Sequence, residues 1–279
     1  MRSRRKFKEF IIEKLILLCG LASIFFVVLI FLFLLKEGLS LFKSVSPFKF
    51  LLGKNWYPIS EPAQLGILPL IMGSLFVTFG AALISIPIGV SCAVYIAEIA
   101  PLKIKEALKI GIELLAAIPS VVLGFIGMVT LVPWIKSVFH LPTGLTALSG
   151  SVMLAFMAMP TIVSIAEDAL YSVPKNYKEG AFALGATHWQ TIWRVMLPAA
   201  SNGILAAVML GIGRVIGETM AVMMITGNAA VIPHSILVPV RTLTATIAAE
   251  MGEAVVGSEH YFALFAIGIV LFVISFAIN

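Results

Sequence analysis

The chain reads as an all-α, polytopic membrane protein with six transmembrane helices, and three observations carry that reading. Of its 279 residues 60% are hydrophobic and only 12% charged, with a mean hydropathy of +1.08, so a soluble fold of this size could not cover itself with polar surface. Apolar runs of about 20 residues recur, the length a helix needs to cross roughly 30 Å of hydrocarbon. The alternating segments of about ten residues that mark a membrane β-barrel do not occur.

The first span is expected over 11–35. It follows MRSRRKFKEF, but the run from Leu15 to Leu35 is longer than the roughly 7 to 15 residues of a signal-peptide core, so it reads as an uncleaved helix. A loop over about 36–66 carries Phe42, Phe48, Phe50, Trp56 and Tyr57 among lysines, which suits either a segment along the outer membrane interface or a plain tether. Residues 1–66 are thus set apart from a core at 67–279. That core is expected to hold spans at 68–98, 107–134, 146–170, 199–226 and 260–279, with a polar loop over 171–198. Pro87, Gly89, Pro119, Gly124, Gly127 and Pro160 fall inside spans, where neighbouring helices can re-satisfy the backbone. Gly213 and Gly217 form a small-xxx-small pair suited to helix packing. The sequence stops at Asn279 without the basic residues that usually follow a span, so either the end is short or the sequence is truncated.

With the N-terminus inside, cytoplasmic segments hold twelve Lys and Arg, outer segments hold six, and Arg214 lies within a span. This bias predicts both termini in the cytoplasm. The net charge of +5 flanks apolar runs and implies no nucleic acid. Cys19 and Cys92 lie inside apolar runs, and His140, His188, His234 and His260 lack ligand spacing, so no disulfide, metal or cofactor is expected. No Walker A loop occurs, so ATP, if used, binds another chain. Ser120 beside Pro119 lacks a His or Asp partner, which argues against a membrane hydrolase.

The loop between spans four and five is bracketed by Pro174 and Pro198 and contains EGAFALGATHWQTIWRVMLP from Glu179 onward. Tyr177, Ala181, Leu184, His188 and Trp189 recur at helical spacing, and Gly185 marks a helix end or bend. Small residues at Gly180, Ala181, Ala183 and Gly185 leave a shallow face, with Lys178, Glu179 and Arg194 as rim charges. Such a segment is either a docking surface for a partner or an amphipathic helix on the membrane. In span five, Arg214 and Glu218 are expected on one helix face, four residues apart. A mid-span Arg costs roughly 2.5 to 3.5 kcal/mol, so the pair either lines a wet path or forms a structural ion pair. Glu250, Glu253 and Glu259 lie near the outer surface as partner-docking or solvated charges.

Glu179, Ala181 and Gly185, followed after nine residues by the VMLP ending in Leu197 and Pro198, resemble the coupling motif of ABC importer permeases. Gly180 replaces that pattern's first Ala and Val195 its Ile. IPSVVLGFIG at 118–127, GRVIGETMAVMMITGN at 213–228 and RTLTATIAAEMGEA at 241–254 resemble the phosphate-specific importer permeases, over about 55–279. The outer loop and QLGILPLIMGSL resemble the PstC type more than its PstA partner. The resemblance implies a type I permease fold without enzymatic activity of its own. It also implies ATP-hydrolysing ABC subunits docked at Glu179, Ala181, Gly185, Leu197 and Pro198, a second homologous permease, an extracytoplasmic phosphate-binding protein and alternating access. For inorganic phosphate, Arg214 would be an apt transient partner, held by Glu218, with Thr219 and Thr226 as hydroxyl donors. A molybdate or sulfate permease would share the loop, whereas an ion-coupled secondary transporter would show repeated halves.

Overall fold

The computed structural model describes residues 2–278, the side chains of 2–9 and 11 excepted. Among these residues, five helical stretches are long and apolar enough to cross a bilayer. They are Ile12–Lys43, Leu68–Ile99, Ser120–Val138, Ala147–Tyr171 and Glu259–Ile278, and a bent pair, His188–Ala199 with Ser201–Gly217, makes a sixth. The expected helical membrane fold is therefore present, with two of its spans drawn differently.

Helix α1 (Arg2–Ser40) is longer than expected and has none of its apolar window buried. It leans on the last helix through Phe31 against Phe272, ring centroids 4.5 Å apart, and Phe33 against Phe265, 5.4 Å apart. The following segment is not a plain tether, because part of it packs into the body of the protein. Helix α2 (Pro47–Leu52) starts on Pro47, whose missing N–H costs nothing there. Strands β1 (Trp56–Tyr57) and β2 (Gln64–Leu65) then form a minimal antiparallel hairpin. Leu41, Phe50, Trp56 and Leu65 are buried in one cluster with Leu70, Leu243 and Leu264, while Phe48 and Tyr57 stay exposed. Removing two large aromatic rings from water favours this packed arrangement over a loose one.

The centre is built from α3 (Leu68–Val94) and α7 (Ala147–Tyr171). Small residues let them approach: Gly80 faces Ser151, whose hydroxyl donates to the Ala147 carbonyl at 2.9 Å and the Val77 carbonyl at 3.2 Å. Around this seam, 61% of the apolar window of α7 is buried. A π-helical turn, Tyr95–Ile99, extends α3.

The third span does not run unbroken over 107–134. Helix α4 (Leu102–Ala117) ends where Ile118 turns extended before Pro119, because proline disfavours a helical residue ahead of it and supplies no N–H. The span proper is α5 (Ser120–Ile126), a π-helical turn (Gly127–Leu131) and α6 (Val132–Val138). Helix α4, with no buried residue, lies against the end of α7, with Lys109 Nζ 3.0 Å from Glu167 and Lys105 Nζ 3.9 Å from the Tyr171 ring centroid.

The fifth span is also broken. After α8 (Lys175–Ala183) and α9 (His188–Thr191) come a π-helical turn (Ile192–Met196) and α10 (Leu197–Ala199). A 70° bend then leads to α11 (Ser201–Gly217). Helix α11 stops at an extended Glu218, and α12 (Met220–Ile225) resumes after Thr219. The chain returns through α13 (Leu243–Glu250) to α14 (Glu259–Ile278). Leu243 N donates to Ser74 Oγ at 2.9 Å, and Thr244 Oγ1 donates to the Glu218 carbonyl at 2.8 Å. The start of α13 is thus sunk between α3 and the helix break. Gly73 makes room for it, since a Cβ there would collide with the Arg241 carbonyl.

Candidate functional site

Two groups of sequence-predicted residues are formed, at different places. The first is the loop 171–198. Pro174 precedes α8 and Gly185, at φ +81°, turns the chain out of it, a backbone conformation that favours glycine. Thr187 and Gln190 then form a reciprocal capping box that starts α9. The two helices do not present one continuous apolar face: Ala181 is buried, but Tyr177 and Trp189 are exposed and Leu184 is 91% exposed. Trp189 and Trp193 pack edge to face 5.7 Å apart, both half bare. Glu179 is exposed, and a Cβ added at Gly180 or Gly185 would meet nothing within 4 Å. The tip is therefore a bare, partly aromatic surface. Its base is packed: Ile192 and Met196 are buried with Val94, Leu170, Val173 and Ala200, Leu197 packs against that cluster, and Pro198 is exposed beside it.

Lys178 is not the free rim charge expected. Its ammonium pairs with Glu98, which lies in the π-helical turn ending α3 and keeps only 7% of its side chain exposed. His188 Nε2 stands 3.9 Å from the same carboxylate. Sequence reasoning missed Glu98 and the comparably buried Glu167. The signal was present, an acid inside or at the end of an apolar span.

The second group lies at the break in span five, and here the structure corrects the sequence. Arg214 and Glu218 do not share a helix face, because Glu218 is extended, and no ion pair joins them among the described residues. Arg214 is exposed and donates to Thr161 Oγ1 of α7 at 3.3 Å. Glu218 turns toward the start of α12, with Oε1 3.4 Å from the Ala221 N–H. Thr219 keeps its place at the break, its hydroxyl donating to the Gly217 carbonyl at 3.2 Å. Thr226 is fully buried and donates to the Val222 carbonyl at 2.8 Å, so it is no free donor. At Gly213 and Gly217, expected as packing contacts, an added Cβ would meet nothing within 4 Å among the described residues.

At the opposite end, Glu250 is not a solvated rim charge. Trp56 Nε1 donates to both its oxygens at 3.1 Å, Arg241 pairs with it, and His260 Nε2 lies 2.8 Å from Oε2. Among the described residues, no three His, Cys, Asp or Glu side chains cluster as metal ligands.

The family model described as "Binding-protein-dependent transport system inner membrane component" matches residues 85–279. A "Probable ABC transporter permease protein YqgH" of Bacillus subtilis (strain 168) is 43% identical over 277 residues, covering 99% of this chain and 90% of the relative. A "Phosphate transport system permease protein PstC" of Mesorhizobium japonicum is 37% identical over 250 residues, covering 83% of this chain and 76% of the relative. In fold, the chain is similar to the MetNI methionine ABC transporter in inward-facing form, with TM-score 0.60 and 22% identity over 79% of this chain and 96% of that one. It is also similar to a bacterial alginate ABC transporter solved with its periplasmic protein, with TM-score 0.65 and 18% identity over 94% of this chain and 91% of that one.

Proposed function

The chain belongs to the family of binding-protein-dependent transport system inner membrane components, and from that premise we propose that it carries phosphate. It is a multi-pass inner-membrane permease subunit of an ABC importer. Similarity over 83% of the chain to a relative named as a phosphate permease carries the choice of substrate. Arg214 supports it: a permanent cation exposed within a span needs water, a partner surface or an anion. Thr161 holds the guanidinium, Thr219 offers a hydroxyl at the break, and Glu218 keeps the local field from becoming a trap. The loop 171–198 faces the cytoplasm with both termini and receives an ATP-hydrolysing subunit at Glu179, Ala181 and Gly185. Leu197 and Pro198 secure its base. A second homologous permease covers the face bearing Arg214, and an extracytoplasmic phosphate-binding protein delivers substrate to the other end. In this reading 1–66 anchors the chain and 67–279 forms the permease core.

ATP-driven movement of the docked subunits shifts the loop and opens the path inward; the chain itself breaks no bond. The Bacillus subtilis relative's name specifies no substrate, which keeps a molybdate or sulfate permease as the second reading. Reconstitution with ATPase, partner permease and binding protein distinguishes them, since phosphate, rather than sulfate or molybdate, should stimulate ATP hydrolysis. With assembly intact, Arg214→Gln should lower phosphate uptake by about 10- to 100-fold, the range of one lost charge-assisted contact. Wild-type uptake by that variant removes Arg214 from the path.

A further inference from the structure

Helix α8 carries the exposed tip of the loop and is lightly attached. Of its own residues Ala181 is buried, Phe182 stacks on His188 within the same loop, and the rest of its apolar side chains are bare. Its one ion pair to a span, among the described residues, is Lys178 with Glu98, 80 positions away in sequence. The base of the loop is continuous with α11 and its Ile192 and Met196 pack on Val94 of α3, so those spans meet the base directly, whereas α8 at the tip is paired to α3 through Lys178. The α3–α4 corner is not continuous with the loop. It follows Glu98 by two residues, at Ala100 and Pro101, and feeds α4, then α5, which packs beside α12 through Gly124 and Ala221.

We infer that Glu98 is the positioning residue through which displacement of the ATPase-docking helix reaches the second span and the α4–α5 segment beyond it. This rests on reading loop 171–198 as the ATPase seat. A carboxylate with 7% exposure gains from its lysine strongly enough to follow it, while Lys178, with 34% exposure, can still exchange with water. One strong point contact suits a link between bodies that must move, because a broad apolar interface would resist sliding. As a positioning residue, Glu98 should on its loss change how much phosphate moves per ATP rather than whether the complex forms.

The test reconstitutes the full complex with ATPase, partner permease and binding protein, and measures copurification, ATP hydrolysis and phosphate uptake together. Glu98→Gln and Lys178→Gln should each lower phosphate moved per ATP by about tenfold, within the ordinary range of coupling between sites. The exchanged pair, Glu98→Lys with Lys178→Glu, should recover most of it, and Lys178→Arg should retain it. A wild-type ratio in both single variants overturns the inference, and so does loss of ATPase copurification in Lys178→Gln, which would make that residue part of the docking surface. If Glu98→Gln fails to assemble, Lys178→Gln, at a one-third-exposed position, decides alone. Failure of the unmodified chain to retain an ATPase subunit would instead overturn the docking reading itself.

Discussion

Two largely enclosed carboxylates, Glu98 and Glu250, sit at opposite ends of the molecule and are held in opposite ways. Glu250 receives Trp56 from the hairpin, Arg241 from the segment before α13 and His260 from α14, so both its oxygens are engaged by three elements. Glu98 receives Lys178 from α8 and has His188 only at 3.9 Å. The first arrangement saturates its acceptors and clamps its neighbours. The second leaves one contact that can break and reform, and it lies beside the loop whose tip is bare. The contrast separates an end clamped by three elements from an end where α8 is joined by a single ion pair.

Breaking the clamp should have the largest effect on stability. Glu250→Ala leaves the Arg241 guanidinium half-buried without its carboxylate and strips the Trp56 N–H of its acceptor. It should cost about 3 kcal/mol, seen as a lower thermal midpoint in detergent. Breaking the single link should cost less: Lys178→Gln is expected to lose about 1 kcal/mol by the same measurement, because its ammonium is already one-third exposed. A drop as large as that of Glu250→Ala would erase the distinction between the two ends.

Gly180→Ala sharpens the comparison from the other side. The position is helical with open space around it, so the isolated chain should gain about 0.5 kcal/mol. If the bare face seats a partner, the added methyl should weaken ATPase retention several-fold, opposite in sign to the stability change. Last comes Ser74→Ala, which removes the acceptor of the Leu243 N–H at the sunken start of α13. It should cost about 1 kcal/mol without changing ATPase retention.

Much of this was legible in the chain. Hydropathy found the span regions, Pro174 and Gly185 marked the ends of α8, and the spacing from Glu179 to Pro198 identified the loop. Where the reading failed, the cause was local backbone chemistry overridden by a periodicity argument. Pro119 announced a break that the apolar run through 107–134 masked, and Glu218 to Thr219 looked like one more turn of helix. The break there depends on Thr244, whose hydroxyl serves the freed carbonyl from 26 residues away, and no local pattern contains that contact. The roles of Glu98 and Glu250 likewise need partners 80 and 194 positions distant, Lys178 and Trp56. Contacts of that separation are set by the fold.

The 70° bend between α10 and α11 has a mechanical meaning. Helix α11 has 17 residues and is therefore a lever arm about 25 Å long, pivoting where the loop's base is packed. A swing of about 10° at that elbow carries its far tip through about 4 Å, roughly the width of a methyl group. That tip is Gly217, three residues beyond Arg214, so the elbow magnifies a small tilt at the packed base into a displacement of about a small ion's diameter at the break in span five.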